Sequence, residues 1–311
     1  MFTRRDLLAL SGASLALAAC GQTGPGGGRI LRVGSQRGGT KALINAAGVL
    51  EGADYSVEWS EFPAAQPLME AIGSGAVDVG VAGDAPFLFA YNSGSPVKAL
   101  QAQTVFERPS QALGILVPGS SPVQQLSDLK GKRIATTRGS IGHYLVLRAL
   151  AAQNLPSDYV KITYLSPSDA KAALQSGAID GWSVWVPYIS MAIADGYRVL
   201  VDGQTLLRGA GFDVSSEQVI AAKRDLLKDF LAREAKALLW AKDHVTDYAA
   251  VLSKETGLPL AIAQEMAVRN ARQAVPFSPT LIAEQQTIVD TFRAAGEIKA
   301  ARPLKDAFVT L

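Results

Sequence analysis

The chain has 311 residues, 48% of them apolar and 19% charged, and its formal net charge is +2. That size and apolar share suit two modest packed lobes better than one. A near-balanced charge with no dense basic run argues against nucleic acid as the partner, and two histidines with one cysteine leave too few ligands for a His/Cys metal site, so neither metal nor cofactor is expected.

In chain order, the first segment reads as targeting rather than structure. Arg4 and Arg5 precede an apolar run over 7–19 that is too short to span a bilayer as an ordinary helix. The paired arginines resemble a twin-arginine export signal, and Leu17-Ala18-Ala19-Cys20 resembles a bacterial lipobox. Residues 1–19 then form a signal peptide, Cys20 becomes the lipidated first residue, and the glycine-rich 20–28 is a flexible tether. A buried core cysteine is the plainer reading of Cys20.

Beyond the tether, hydrophobic spacing and turn residues predict strand 29–34, helix 41–50, strand 56–62, helix 66–73, strand 77–82, a helix through 87–91 and strand 97–104. After the Phe106-Glu107-Arg108-Pro109 loop, 113–117 reads as a strand crossing to a second lobe. There follow a helical turn at 127–132, strand 133–137, helix 143–153, strand 160–165, helix 187–195 and strand 197–201. The segment 216–221 reads as the returning crossover strand. From Lys223 onward the pattern is helical: Leu226, Leu227, Phe230 and Leu231 share one face, and 261–272 and 279–295 continue in the same way around the first lobe.

An internal repeat organises this order. Ser74-Gly75-Ala76-Val77-Asp78 returns as Ser176-Gly177-Ala178-Ile179-Asp180, and each copy runs on through a strand and a loop to a proline, Pro86 or Pro187. Gln36-Arg37-Gly38-Gly39 and Thr137-Arg138-Gly139-Ser140 are a second pair at nearly the same offset, each ending a strand ahead of a helix. The expected architecture is therefore α/β with two lobes, 29–117 plus 214–311 as the first and 118–213 as the second. Two crossover strands act as the hinge. In such sheets ligands sit beyond the carboxyl ends of the strands, where helix N-termini offer unpaired N–H groups.

Five stretches carry a family likeness: Gln36-Arg37-Gly38-Gly39, Gly83-Asp84-Ala85-Pro86, Gly139-Ser140-Ile141-Gly142-His143-Tyr144, Trp185-Val186-Pro187-Tyr188 and Ala283-Glu284-Gln285-Gln286. In this order they resemble the alkanesulfonate-binding proteins of ABC importers, relatives of the taurine, nitrate and thiamine-precursor binders. The resemblance implies a periplasmic-binding-protein-like (type II) fold, a small organic anion, most simply an aliphatic sulfonate, as ligand, and permease and ATPase subunits as partners. With the N-terminal signal and Cys20 as lipid anchor, the chain is expected to be an exported, membrane-anchored monomer at the periplasm or outer cell surface. Val186 stands where the family commonly carries Asp, which removes a carboxylate that would suit a taurine-like ammonium.

A sulfonate has three acceptor oxygens and no proton to give, so its site must supply donors. The Gly38 and Gly39 N–H groups at a helix head fit that need, unless they form a plain turn. Arg37 and Arg138 hold matching places and either bind the anion or pair with surface acids. Gln36 can donate through its amide, and Gly83 can approach the ligand closely. Asp84 would repel an anion, so it is expected to cap a helix or orient Arg37. Ser140 caps a helix and can turn its hydroxyl to the ligand, with His143 one turn on, and Trp185 offers a flat face to the organic tail. The competing classes are a binder of another oxyanion (nitrate, a sulfate ester) or of a thiamine precursor, a desulfinase-like enzyme with Ser140 and His143 as nucleophile and base, and a lipid-anchored sensor or adhesion module. The mature chain has no spare thiol, and two groups one helical turn apart lack a third to orient them, so no enzyme is expected.

Overall fold

The computed structural model describes residues 28–107, 110–269 and 271–311. The signal peptide, Cys20 and all of the tether except Gly28 lie outside the described residues, as do Arg108 and Pro109 of the 106–109 loop.

The first half contains β1 (Arg29–Gln36), α1 (Thr40–Ala47), β2 (Tyr55–Phe62), α2 (Ala65–Gly73), β3 (Val79–Gly83), α3 (Asp84–Asn92) and β4 (Val97–Val105). Next come β5 (Leu113–Val117), β6 (Arg133–Thr136), α4 (Ile141–Ala152), β7 (Lys161–Tyr164), α5 (Pro167–Gln175), β8 (Gly181–Trp185), α6 (Tyr188–Ala194) and β9 (Arg198–Asp202). The order is completed by β10 (Ala210–Ser216), α7 (Glu217–Asp243), α8 (Val245–Thr256), α9 (Leu260–Arg269), β11 (Arg272–Val275) and α10 (Pro279–Ala294). These strands form two sheets, β11-β4-β10-β3-β1-β2 and β7-β6-β8-β5-β9.

Each sheet has a parallel trio built by helical crossovers: β2-β1-β3 in the first and β7-β6-β8 in the second. Beside each trio lies one antiparallel strand from elsewhere in the chain. β10 pairs with β3 and β4, and β5 pairs with β8 and β9. The chain thus passes between the sheets at 106–112 and again at 203–209. Because β5 sits wholly in the second sheet, the first passage precedes 113–117 instead of running through it.

The repeat has a local physical reason. α2 and α5 both stop at a serine followed by a glycine in the left-handed region, Gly75 at φ 76° and Gly177 at φ 73°. The aspartate three residues on then clamps the neighbouring strand. Asp78 N–H donates to Arg32 O at 2.8 Å while its carboxylate accepts Arg32 N–H at 2.7 Å. Asp180 does the same with Arg133, at 2.9 Å each way. Asp78 is fully buried and also holds the Arg32 guanidinium and the Lys223 ammonium, each at 2.7 Å. Burial alone would raise its pKa, but the hydrogen bonds from Arg32 and Lys223 outweigh burial and hold it below the usual carboxylate value.

Two expectations fail near the C-terminal half. Of the expected strand 216–221 only Ser216 is strand, the last residue of β10; Ser216 accepts Val219 N–H at 3.3 Å and caps α7, so the return strand is β10 and 217–221 are helix. Small residues and a buried Asp213 had hidden that strand from the hydrophobic pattern. The helix expected over 261–272 ends at Arg269, and Arg272 opens β11 on the edge next to β4. α7, α8 and α9 pack on the first-sheet side with α1, whereas α10 packs against both α3 and α4. One core cluster accordingly runs through Phe87, Phe212, Ile134, Leu145 and Phe292 and joins the two sheets.

Candidate ligand-binding cleft

The heads of α1, α3 and α4 converge on a cleft of about 320 Å³ between the sheets. Its walls include Gln36, Arg37, Gly38, Gly39, Gly83 and Asp84 from the first sheet, and Ser140 and Trp185 from the second. One contact across the cleft is Tyr188 Oη, which donates to Pro63 O at 2.9 Å.

At the head of α1, Gly38 has φ 73°, and an added Cβ would lie 3.0 Å from Met266 and 3.1 Å from Leu252. Only glycine suits both the dihedral and the space. Gly39 N–H is already spent on Gln36 O at 2.8 Å, and Lys41 N–H on Ser35 Oγ at 3.1 Å. The donors left without an acceptor among the described residues are therefore the N–H groups of Gly38 and Thr40, not that of Gly39. At α4 the pattern repeats: Ser140 N–H reaches Thr137 O, and Ser140 Oγ accepts His143 N–H at 3.1 Å, leaving Ile141 N–H at the cleft. Both helix dipoles add partial positive charge there.

Asp84 is buried with both oxygens occupied, one by Ala85 N–H at 2.7 Å and the other by Ala210 N–H at 2.9 Å. It ties the head of α3 to the start of β10 and does not hold Arg37. Burial raises its pKa, against the pull of those two N–H groups and of Arg272. Arg37 stands exposed at the rim and donates to Thr256 O at 2.7 Å. Gln36 points its amide back to Val81 O at 2.9 Å. Trp185 packs edge-on against Tyr188, their ring centroids 6.3 Å apart.

Arg138 and His143 are not among the residues lining the cleft. Glu297, just past α10, draws them elsewhere. Arg138 reaches Glu297 Oε2 at 3.0 and 3.2 Å, and Tyr164 Oη donates to Glu297 Oε1 at 2.6 Å. His143, fully buried, accepts Gly139 N–H at Nδ1 and lies 3.3 Å from Tyr164 Oη through Nε2. Burial lowers its pKa to about 4, so it is neutral, and Ser140 Oγ meets the His143 backbone, not its ring. A serine nucleophile with a histidine base is not assembled here.

Two groups in the cleft had no local sequence signal. The first is Arg272, whose Nη1 is sealed from solvent without a hydrogen-bond partner among the described residues. An added Cβ on Gly211 would lie 3.2 Å from that nitrogen, so the guanidinium passes directly over a glycine. Burial lowers the Arg272 pKa, while Asp84 and Tyr248 oppose the change, and the group stays charged. The second is Glu234 on α7, which faces Asp213 on β10; both are buried, and Gln103 donates to Asp213 Oδ2 at 2.9 Å. Burial, and then the nearby Asp213 charge, push Glu234 well above the usual carboxylate value, and Asp213 is also raised. A Glu234 carboxyl that carries its proton can supply the donor that Asp213 Oδ1 lacks among the described residues.

The sequence over 56–249 matches the model of the family described as NMT1/THI5 like. The chain belongs to the NMT1/THI5-like family. An Escherichia coli (strain K12) protein described as aliphatic sulfonates-binding is 32% identical over 267 residues, covering 84% of this chain and 83% of the relative. The solved structure of the alkanesulfonate-binding protein SsuA from Xanthomonas axonopodis pv. citri, bound to MOPS, is 31% identical with a TM-score of 0.83, over 91% of this chain and 98% of that one. The fold is that of the periplasmic binding proteins. The desulfurization enzyme DSZB, at 16% identity and a TM-score of 0.64, over 90% of this chain and 96% of that one, shares the fold alone.

Proposed function

We propose that this member of the family is the substrate-binding component of an ABC importer and captures a small organic sulfonate in the cleft. One observation carries the reading: a buried guanidinium donor without a partner among the described residues, Arg272 Nη1, shares the cleft with two helix heads whose N–H groups are likewise unspent there. Donors without competing acceptors are what a proton-less oxyanion requires. Relatives described as aliphatic sulfonates-binding and, in Escherichia coli, as a taurine-binding periplasmic protein support the same ligand class.

In this reading Gly38, Thr40, Ile141 and Arg272 hold the sulfonate oxygens, Gln36, Gly39, Gly83 and Asp84 shape the pocket, and Trp185 packs on the organic tail. Arg37 stands at the entrance. Val186 lines the cleft without a charge, but Glu234 supplies an acceptor oxygen elsewhere in the wall, so a hydroxyl or ammonium on the tail remains compatible. The two lobes are 29–105 with 210–311 and 113–202, adjusted to the observed passages. Binding without transformation fits the neutral, occupied His143. The paired arginines and the 17–20 run support export and lipid attachment at Cys20, with permease and ATPase subunits as partners of a monomer.

Calorimetry with ethanesulfonate, its hydroxyl and amino derivatives, nitrate and propanoate tests this reading. Saturable sulfonate binding with the ligand recovered intact is expected. Binding of nitrate or propanoate alone would overturn the ligand class, and a released product would overturn the binder. Export is tested separately: Cys20→Ala should leave the protein without a lipid anchor, read by its partitioning between membrane and soluble fractions.

A further inference from the structure

A second cavity of about 450 Å³ lies between α4 and α10. Asp84, Val105 and residues 207–210 line both it and the cleft, so they form the wall between the two. Three features of this cavity are unexplained by the cleft. Arg148 on α4 has a buried Nε without a partner and makes no ion pair among the described residues. Gln285 on α10 is 3% exposed; its Nε2 donates to Leu281 O at 3.2 Å, and its Oε1 is left buried without a donor. Turning the amide over would set oxygen against oxygen, so the acceptor is fixed in place. Glu284 stands beside it, paired with Arg208.

An uncompensated guanidinium calls for an acid head. A buried free acceptor beside a carboxylate calls for a donor, and a cationic one fits best. Leu207, Leu281 and Ile288 supply an apolar wall. Two cations, Arg148 and Arg208, face two carboxyl groups, Glu284 and Asp84, so a ligand with no net charge leaves the balance undisturbed. We propose that this cavity is a second small-molecule site that takes an aliphatic α-amino acid, its carboxylate on Arg148 and its ammonium on Gln285 Oε1 and Glu284. The Ala283-Glu284-Gln285-Gln286 stretch then has a binding role that the sulfonate cleft does not give it.

The test is calorimetry of the mature protein with L-leucine, 4-methylpentanoate, which lacks the ammonium, and 3-methylbutylamine, which lacks the carboxylate. One equivalent of leucine should bind, and each truncated ligand should bind about tenfold more weakly or worse. Arg148→Met and Gln285→Leu should each weaken leucine by about the same factor, whereas Arg272→Met in the cleft should not. Should Arg148→Met fail to fold, Gln285→Leu and the two truncated ligands still decide. No heat with leucine overturns the proposal. Equal binding of all three ligands does so too, showing only an apolar cavity, as does leucine binding that Arg272→Met abolishes and Arg148→Met spares, which would place it in the cleft.

Discussion

Replacing Arg272 with methionine separates affinity from folding. Its Nη1 makes no hydrogen bond among the described residues, so the substitution breaks none there and frees a guanidinium from burial. Asp84 loses a favourable neighbour but keeps an N–H on each oxygen. The melting temperature should therefore stay within a few degrees of the parent. In the liganded state a buried charge-assisted hydrogen bond is worth about 1.5–3 kcal/mol, which is about a tenfold to a 150-fold rise in Kd. Calorimetric titration with ethanesulfonate at fixed ionic strength reads the loss directly. Arg37→Met is the internal comparison: its exposed side chain spends a donor on Thr256 O, so affinity should change by no more than about fivefold. If Arg272→Met bound within a factor of about two while Arg37→Met lost tenfold or more, the anion would sit at the rim and the reasoning from the buried donor would be wrong.

Glu234→Gln should flatten the pH dependence of stability. The folded protein keeps a proton on Glu234 that the unfolded chain releases above about pH 4.3, so stability falls as pH rises from there toward the raised folded value. The glutamine amide still donates to Asp213 without titrating; melting temperatures that decline in parallel for both proteins would refute the proton on Glu234. Asp78→Asn should cost about 3–5 kcal/mol in urea titrations, since it strands Arg32 and Lys223. The depressed Asp78 pKa contributes stability above about pH 3.9 that is lost as pH falls through the folded value, so the variant should also show a shallower acid limb, and a loss under about 1 kcal/mol would contradict the clamp. Gly211→Ala should leave the fold intact yet weaken sulfonate binding several-fold by pushing the Arg272 guanidinium aside; unchanged affinity would place that nitrogen away from the ligand.

The fold was legible where the chemistry is local. Ser-Gly stops, the left-handed glycines and alternating apolar residues act over a few positions, and the repeat announced two similar sheets. β10 and β11 were missed because neither alternates cleanly: one is buried throughout and contains Asp213, and the other is four half-buried residues. Gly38, Gly83, Asp84 and Ser140 come to the cleft at helix heads and Trp185 at the end of β8, places that turn residues mark in the sequence. Arg138 matched Arg37 in sequence, but Glu297, 159 residues away, takes its guanidinium. No spacing rule could foresee that. Arg272 and Glu234 come to the cleft through the placement of β11 beside β4 and of α7 against β10, and a lone Arg or Glu in a helical stretch carries no mark of such a destination.

The two repeated aspartate clamps have drifted apart in strength. Asp78 is sealed from solvent and holds two cations, whereas Asp180 is 28% exposed and its cationic neighbours, Lys132 and Arg133, stand 3.7 and 3.8 Å away. The halves of the molecule therefore share a blueprint but not the charges that fasten it. Removing the Asp78 charge would strand two cations at once, so the first sheet carries the brittle version of the clamp. Along a single chain, one copy of the repeat holds a keystone and the other a looser pin.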